Sequence, residues 1–178
     1  MNHQKSKSLT WEVVEKAISK EINWLRRTII KTPYRKENEF CDECIYRRIA
    51  ILIVSGKIKA KDIKSRVCLW GNQNLLPQEG KKHGKEWHSR MMKLISEYFK
   101  SSGYDVTIEP KLNMGRADLG IYKENERDLF VEIGTISLYK LLFNLESMEG
   151  SDFLLVLSQN RAIEFSVIKA GYKQETTK

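Results

Sequence analysis

Two acidic side chains stand where strand-like sequence is otherwise apolar. Asp118 lies in Gly115-Arg-Ala-Asp-Leu-Gly-Ile-Tyr122, and Glu132 lies in Asp128-Leu-Phe-Val-Glu-Ile-Gly134. A carboxylate in such surroundings is costly unless something neutralises it. Two acids at neighbouring strand positions can share one divalent cation, whose charge removes their mutual repulsion. A hard cation such as Mg2+ takes oxygen ligands, keeps several waters and accepts phosphate oxygens. It also lowers the pKa of a bound water and neutralises charge building on a phosphorane-like transition state. Glu86, at the start of a helical segment ahead of the strands, is the best-placed third acid. Each acid also has a plainer reading. Asp118 could be a turn residue after Gly115, and Glu132 a strand-end charge paired with Arg116 or Lys111. Glu86 could be a first-turn acid favoured by the helix dipole. His88, two residues beyond Glu86, points elsewhere on that helix; it could contact DNA or assist proton transfer, but the simpler reading is a surface histidine.

The elements that must position these acids are legible from periodicity. A helix is expected over 85–101, with Trp87, Met91, Leu94, Ile95, Tyr98 and Phe99 as its apolar positions and Gly103 at its end. Strands are expected over 104–109, 117–122 and 128–133, separated by the polar, turn-like stretches 111–115 and 123–127. A helix over 138–148 follows. Residues 153–157 (Phe-Leu-Leu-Val-Leu) form the short continuous apolar run of a buried strand. Residues 162–168 are one more element of undetermined type. The order α-β-β-β-α-β describes a mixed α/β sandwich.

The other half of the chain is helical and basic. A helix over 9–30 carries Val14, Ile18, Ile22, Leu25 and Ile29 at three- and four-residue steps, and Thr32-Pro33 stops it. A second helix, over 41–54, turns Ile45, Ile49, Leu52 and Ile53 inward and ends before Gly56. Residues 57–61 and 65–69 alternate polar and apolar, with 62–64 between them, and predict a β-hairpin. Gly, Asn and Pro cluster over 70–84, the natural boundary between the two halves.

Charge follows the same division. The 178 residues carry a net charge of +8. Residues 1–85 hold 19 Lys and Arg against 9 Asp and Glu, and residues 86–178 hold 12 against 14. A basic half joined to a faintly acidic half points to one part that holds a polyanion and another that uses carboxylates. With 41% apolar residues and a mean hydropathy of −0.47, the chain can bury a core and is no disordered polymer. Its longest apolar run, 49–54, falls far short of the ~20 residues of a membrane-spanning helix. The basic residues do not line one amphipathic face, which argues against a membrane surface as the polyanion. The polar start predicts no secretory leader, and three cysteines predict no disulfide framework. An intracellular, cytoplasmic setting is expected, and a small basic protein of this kind would suit a viral or plasmid origin as well as a cellular one.

Residues 84–157 resemble the PD-(D/E)XK nuclease superfamily, which includes restriction endonucleases and Holliday-junction resolvases. The match consists of an acid on a helix (Glu86), an acid after a turn (Asp118), an acid ending the next strand (Glu132) and the α-β-β-β-α-β order. The resemblance implies Mg2+- or Mn2+-dependent hydrolysis of phosphodiester bonds. It makes Asp118 and Glu132 metal ligands, Glu86 an auxiliary ligand and the backbone carbonyl of Ile133 a further one. The superfamily's lysine lies two residues after the second acid, and Gly134 occupies that position here. In some members a lysine from the next helix takes the role, and Lys140 is the candidate. Pairing into a homodimer is carried over from the fold only by analogy.

The basic half resembles a winged helix-turn-helix, on the stretch from Cys41 to Ile58 with its Arg-Arg pair, aliphatic stripe, glycine and basic residues. The resemblance implies that Arg47 and Arg48 face duplex DNA, with Lys57, Lys59, Lys61, Lys64 and Arg66 on a hairpin near the backbone. If about six phosphates are neutralised, the log-log salt slope of binding is near −5. Cys41-x-x-Cys44 with Cys68 and His83 also admits a zinc site, although buried helix cysteines are the simpler reading.

The expected protein has a restriction endonuclease-like αβββαβ core over 84–178, a linker over 76–83 and a mainly α winged-helix domain over 1–75. It acts as a metal-dependent DNA endonuclease. The competing expectation is a DNA-binding regulator or architectural protein whose nuclease fold is inert. RNA is a third substrate class, although no RNA-binding module is visible.

Overall fold

The computed structural model describes residues 10–29, 41–64, 84–112, 115–158 and 160–169. Among them are four helices, α1 (Trp11–Thr28), α2 (Asp42–Val54), α3 (Lys85–Ser101) and α4 (Leu138–Ser147). Six strands form one sheet: β1 (Ile58–Lys64), β2 (Asp105–Ile108), β5 (Leu119–Tyr122), β6 (Leu129–Ile133), β7 (Asp152–Ser158) and β8 (Arg161–Val167). Two more strands, β3 (Lys111–Leu112) and β4 (Gly115–Arg116), pair only with each other.

The sheet order is β1-β8-β7-β6-β5-β2. Every pairing is antiparallel except β6 with β7, and α4 makes the crossover that a parallel pair requires. The chain is therefore a mixed α/β protein with a mostly antiparallel sheet. Alternation along β7 shows why both faces are covered. Leu154 and Val156 join Trp87, Met91, Leu94 and Ile95 of α3, whereas Phe153, Leu155 and Leu157 join the apolar faces of α1, α2 and α4. The undetermined element near 162–168 is β8, a full strand whose partner β7 supplies the hydrogen bonds that local sequence cannot reveal.

Two expectations about the basic half change. Residues 62–64, read as a turn, continue β1, and the partner of β1 is β8, in register from Ile58↔Val167 to Lys64↔Arg161. The other arm of the expected hairpin, 65–69, lies outside the described residues, as does the linker over 76–83. The division into a separate domain over 1–75 also gives way. Ile18, Ile22 and Leu25 of α1 and Ile45 and Ile49 of α2 share one apolar core with Leu141 and Leu145 of α4 and with Phe153 and Phe165. The physical reason is that an aliphatic stripe needs a partner surface, and the nearer one is the open face of the sheet. Gly56 does adopt the left-handed conformation (φ +74°) that ends α2 and turns the chain into β1.

Candidate metal centre

Asp118 and Glu132 both lie at one end of the sheet, where β6 stops and β5 begins. Leu119 pairs with Val131, so Asp118 lies just outside the ladder beside Glu132, and its N–H donates to the Val131 carbonyl at 3.0 Å. The Ile133 N–H donates to Asp118 Oδ2 at 2.6 Å, and His88 Nε2 lies 3.1 Å from the same oxygen. Asp118 is thus held from the strand and from α3, with its side chain 19% exposed.

Glu132 is the deeper acid, only 7% exposed. Phe130 and Glu132 alternate with Leu129, Val131 and Ile133, which places the carboxylate on the sheet face covered by α4. There Lys140 Nζ lies 2.5 Å from Oε1. Ser137 caps α4 by accepting the Lys140 N–H at 3.2 Å, which fixes Lys140 in the first turn. Glu132 Oε2 is buried with no hydrogen-bond partner. Burial pushes the Glu132 carboxyl above the usual carboxylate range. The Lys140 ammonium opposes this through its hydrogen bond and charge, Asp118 adds to the rise, and His88 opposes it weakly.

Of the expected site residues, Ile133 meets Asp118 through its N–H rather than its carbonyl, and Lys140 pairs with Glu132. Glu86 is elsewhere: its side chain is 75% exposed and pairs with Arg90 one turn along α3. The residue of α3 that reaches Asp118 is His88. Helix geometry contains the signal. At 100° per residue, His88 lies about 60° from Met91 on the helical wheel and Glu86 about 140° away. Met91 is fully buried against the sheet, so the flank at His88 faces the strand ends and the first-turn acid faces solvent. Among the described residues no group of three or more His, Cys, Asp and Glu side chains could hold a metal ion.

Gly134, at the position of the missing lysine, has φ +89° and donates its N–H to the Val156 carbonyl at 2.8 Å. A lysine there would be strained in the left-handed region. The backbone turn that ends β6 therefore favours glycine, and the ammonium beside Glu132 comes from Lys140 on α4.

The residues expected to bind DNA divide differently. Arg47 donates to both oxygens of Glu15 on α1 at 2.8 Å, and Arg48 donates to Glu146 on α4 at 2.6 Å. Both arginines, expected to face DNA, bridge α2 to its neighbouring helices while their side chains remain 42% and 52% exposed. Lys57, Lys59 and Lys61 are exposed, the last two on β1, which ends the sheet among the described residues. Lys64 ends that strand opposite Arg161, and Arg66 lies outside the described residues. At ~4.8 Å per strand, β1 runs roughly 14 Å from β6. Cys41 and Cys44 are free and exposed at the head of α2, while Cys68 and His83 lie outside the described residues.

No helix among the described residues is long and apolar enough to cross a membrane. Compared with protein-family models, curated proteins and solved structures, the chain matches none.

Proposed function

We propose that the chain is a metal-dependent DNA endonuclease of the restriction endonuclease-like, PD-(D/E)XK type. The observation that carries this reading is the buried Glu132, with one oxygen on Lys140 and the other without a partner, beside an Asp118 fixed by the Ile133 N–H. The donors are oxygens, and an orphaned buried carboxylate oxygen calls for a hard cation. Two carboxylates are enough for Mg2+ or Mn2+, because such ions keep waters and take substrate phosphate oxygens for the remaining positions. Asp118 and Glu132 would hold the ion, with the Ile133 carbonyl as a further donor. When bound it would supply an activated water and charge neutralisation at phosphorus.

The remaining roles belong to the chain itself. Ile133 and His88 fix the rotamer of Asp118, so its second oxygen is presented in a set direction. Lys140 neutralises Glu132 and places an ammonium on the α4 side of the site, where it can orient a water and stabilise developing negative charge. Exposed Lys57, Lys59 and Lys61 along β1 add positive potential to the edge of the sheet.

The second reading, an inert nuclease fold in a DNA-binding regulator, draws on the exposure of Glu86 and on Gly134 at the lysine position. Incubation with supercoiled, linear, branched and single-stranded DNA, with and without Mg2+ or Mn2+, separates the two. An endonuclease gives divalent-dependent cleavage that EDTA stops and that Asp118→Ala or Glu132→Ala lowers by about 10³-fold or more. Cleavage that persists in EDTA removes the metal mechanism. Binding without cleavage at any divalent concentration selects the regulator.

A further inference from the structure

The connection between β2 and β5 leaves the main sheet and forms a structure of its own. Glu109 adopts φ +49° and Pro110 follows, so the chain bends there and pairs with itself as the β3–β4 ribbon. Two backbone bonds close its base: Glu109 N–H to the Asp118 carbonyl at 3.0 Å and Ala117 N–H to the Pro110 carbonyl at 3.3 Å. Pro110 folds over Gly120, where an added Cβ would come within 3.0 Å of Pro110 Cγ. Leu112 packs against the apolar core on the α4 side of the sheet. The ribbon is therefore anchored on the face that carries Glu132, and it shares backbone bonds with Asp118.

Its outer face is cationic. Lys111 and Arg116 are directly opposite each other in the pairing, so they share the side away from Leu112 and Gly115, and both are exposed. Like charges in that arrangement repel. Glu109 lies 3.1 Å from Arg116, and no salt bridge joins Lys111 to any of the described residues. An anion between the two side chains would turn the repulsion into attraction.

We infer that the β3–β4 ribbon is a phosphate clamp, in which Lys111 and Arg116 hold the phosphodiester backbone of a nucleic-acid strand next to Asp118. The inference rests on the reading of the site as one that acts on nucleic acid. Arg116 precedes Asp118 by two residues, about 7 Å of extended chain. The phosphate it holds is therefore a close neighbour of any phosphate at the carboxylates. A two-stranded ribbon also has the width that the major groove of a duplex admits.

The test is fluorescence anisotropy of a short labelled duplex over a series of NaCl concentrations, in EDTA so that no cleavage intervenes. Wild type is compared with Lys111→Gln/Arg116→Gln and with Lys93→Gln/Lys100→Gln, which removes the same charge from exposed positions farther along α3. The clamp predicts that the log-log salt slope falls by about 2 for the ribbon pair and is unchanged for the α3 pair. Mn2+ uptake by calorimetry stays at the wild-type level in the ribbon variant. Equal slopes in the two variants, or a wild type that leaves the duplex unbound at the lowest salt, overturn the clamp. If the slope difference holds but no metal-dependent cleavage is found in wild type, hydrolysis falls and the clamp stands.

Discussion

Arg47 on α2 meets both oxygens of Glu15 at 2.8 Å, whereas Glu132 on β6 shares one oxygen with Lys140 and leaves the other buried without a partner. The helical layer completes its charges in pairs: Arg26 with Glu43, Arg47 with Glu15, Arg48 with Glu146. These pairs are largely exposed, so screening limits what they add to stability. The sheet end does the opposite. It buries a carboxylate, surrounds it with one cation and a second acid, and leaves an oxygen unsatisfied. Among the described residues, Tyr46 Oη, Asn144 Nδ2 and Asp152 Oδ1 are also buried without a hydrogen-bond partner, so what sets Glu132 apart is an unpartnered oxygen with a second acid and an ammonium beside it. A density of positive charge in the sequence, by contrast, is no guide to function until its partners are known.

The contrast can be broken most severely at Lys140. Lys140→Ala is expected to lower metal-dependent cleavage by about 10²-fold while leaving Mn2+ affinity near wild type. A loss of metal binding equal to that of Glu132→Ala would make Lys140 a structural counter-ion only.

A smaller effect, on stability, sharpens the same point. The Glu132 carboxyl is pushed upward by burial, so the folded state holds its proton more tightly than the unfolded chain does. Stability from that proton is fully present below the ordinary carboxylate pKa and is lost as pH rises through the raised one. Metal-free Glu132→Gln is therefore expected to melt about 2–4 °C above wild type at pH 8, with the gap closing as the pH falls towards 4.5. Half-exposed Lys140 rehydrates when its partner goes, so it does not cancel the gain. A variant that melts below wild type at pH 8 would show that the Lys140 contact outweighs the burial of the charge.

The smallest effects belong to the helical layer. Arg47→Ala and Arg48→Ala should each shift the melting temperature by less than about 3 °C and leave the salt slope of DNA binding unchanged, because both side chains are engaged in bridging α2 to α1 and α4, whereas Arg116 meets Glu109 of its own connection. A fall in slope of about 1 in either variant would return α2 to the nucleic-acid interface.

How much was legible beforehand differs between the same two regions. From residue 85 onward the periodic stretches led to α3, β2, β5, β6, α4 and β7 within a few residues, because each is decided by a local pattern of apolar and polar side chains. That pattern leaves β8 undetermined and reads the β3–β4 ribbon as a turn. Asp118 and Glu132 were legible for a related reason, since charges that interrupt apolar sequence stand out, whereas Lys140 was named only through the resemblance to the nuclease superfamily. His88 and the exposure of Glu86 needed only the helical wheel of α3, set by Met91 and Trp87. The basic half misled because β1 has the alternation of a hairpin arm, and nothing local says whether its partner is the next strand or one a hundred residues away.

By itself the sequence determined the four helices and most of the strands (not β8, the end of β1 or the β3–β4 ribbon), which faces of them are apolar, and which acids had to be neutralised. These depend on interactions within a few residues. Tertiary structure alone decided that β1 pairs with β8, that α1 and α2 share a core with α4, that the arginines of α2 are occupied, and that a carboxylate oxygen of Glu132 is left without a partner. All four depend on contacts between residues distant in sequence, whose geometry no local pattern encodes.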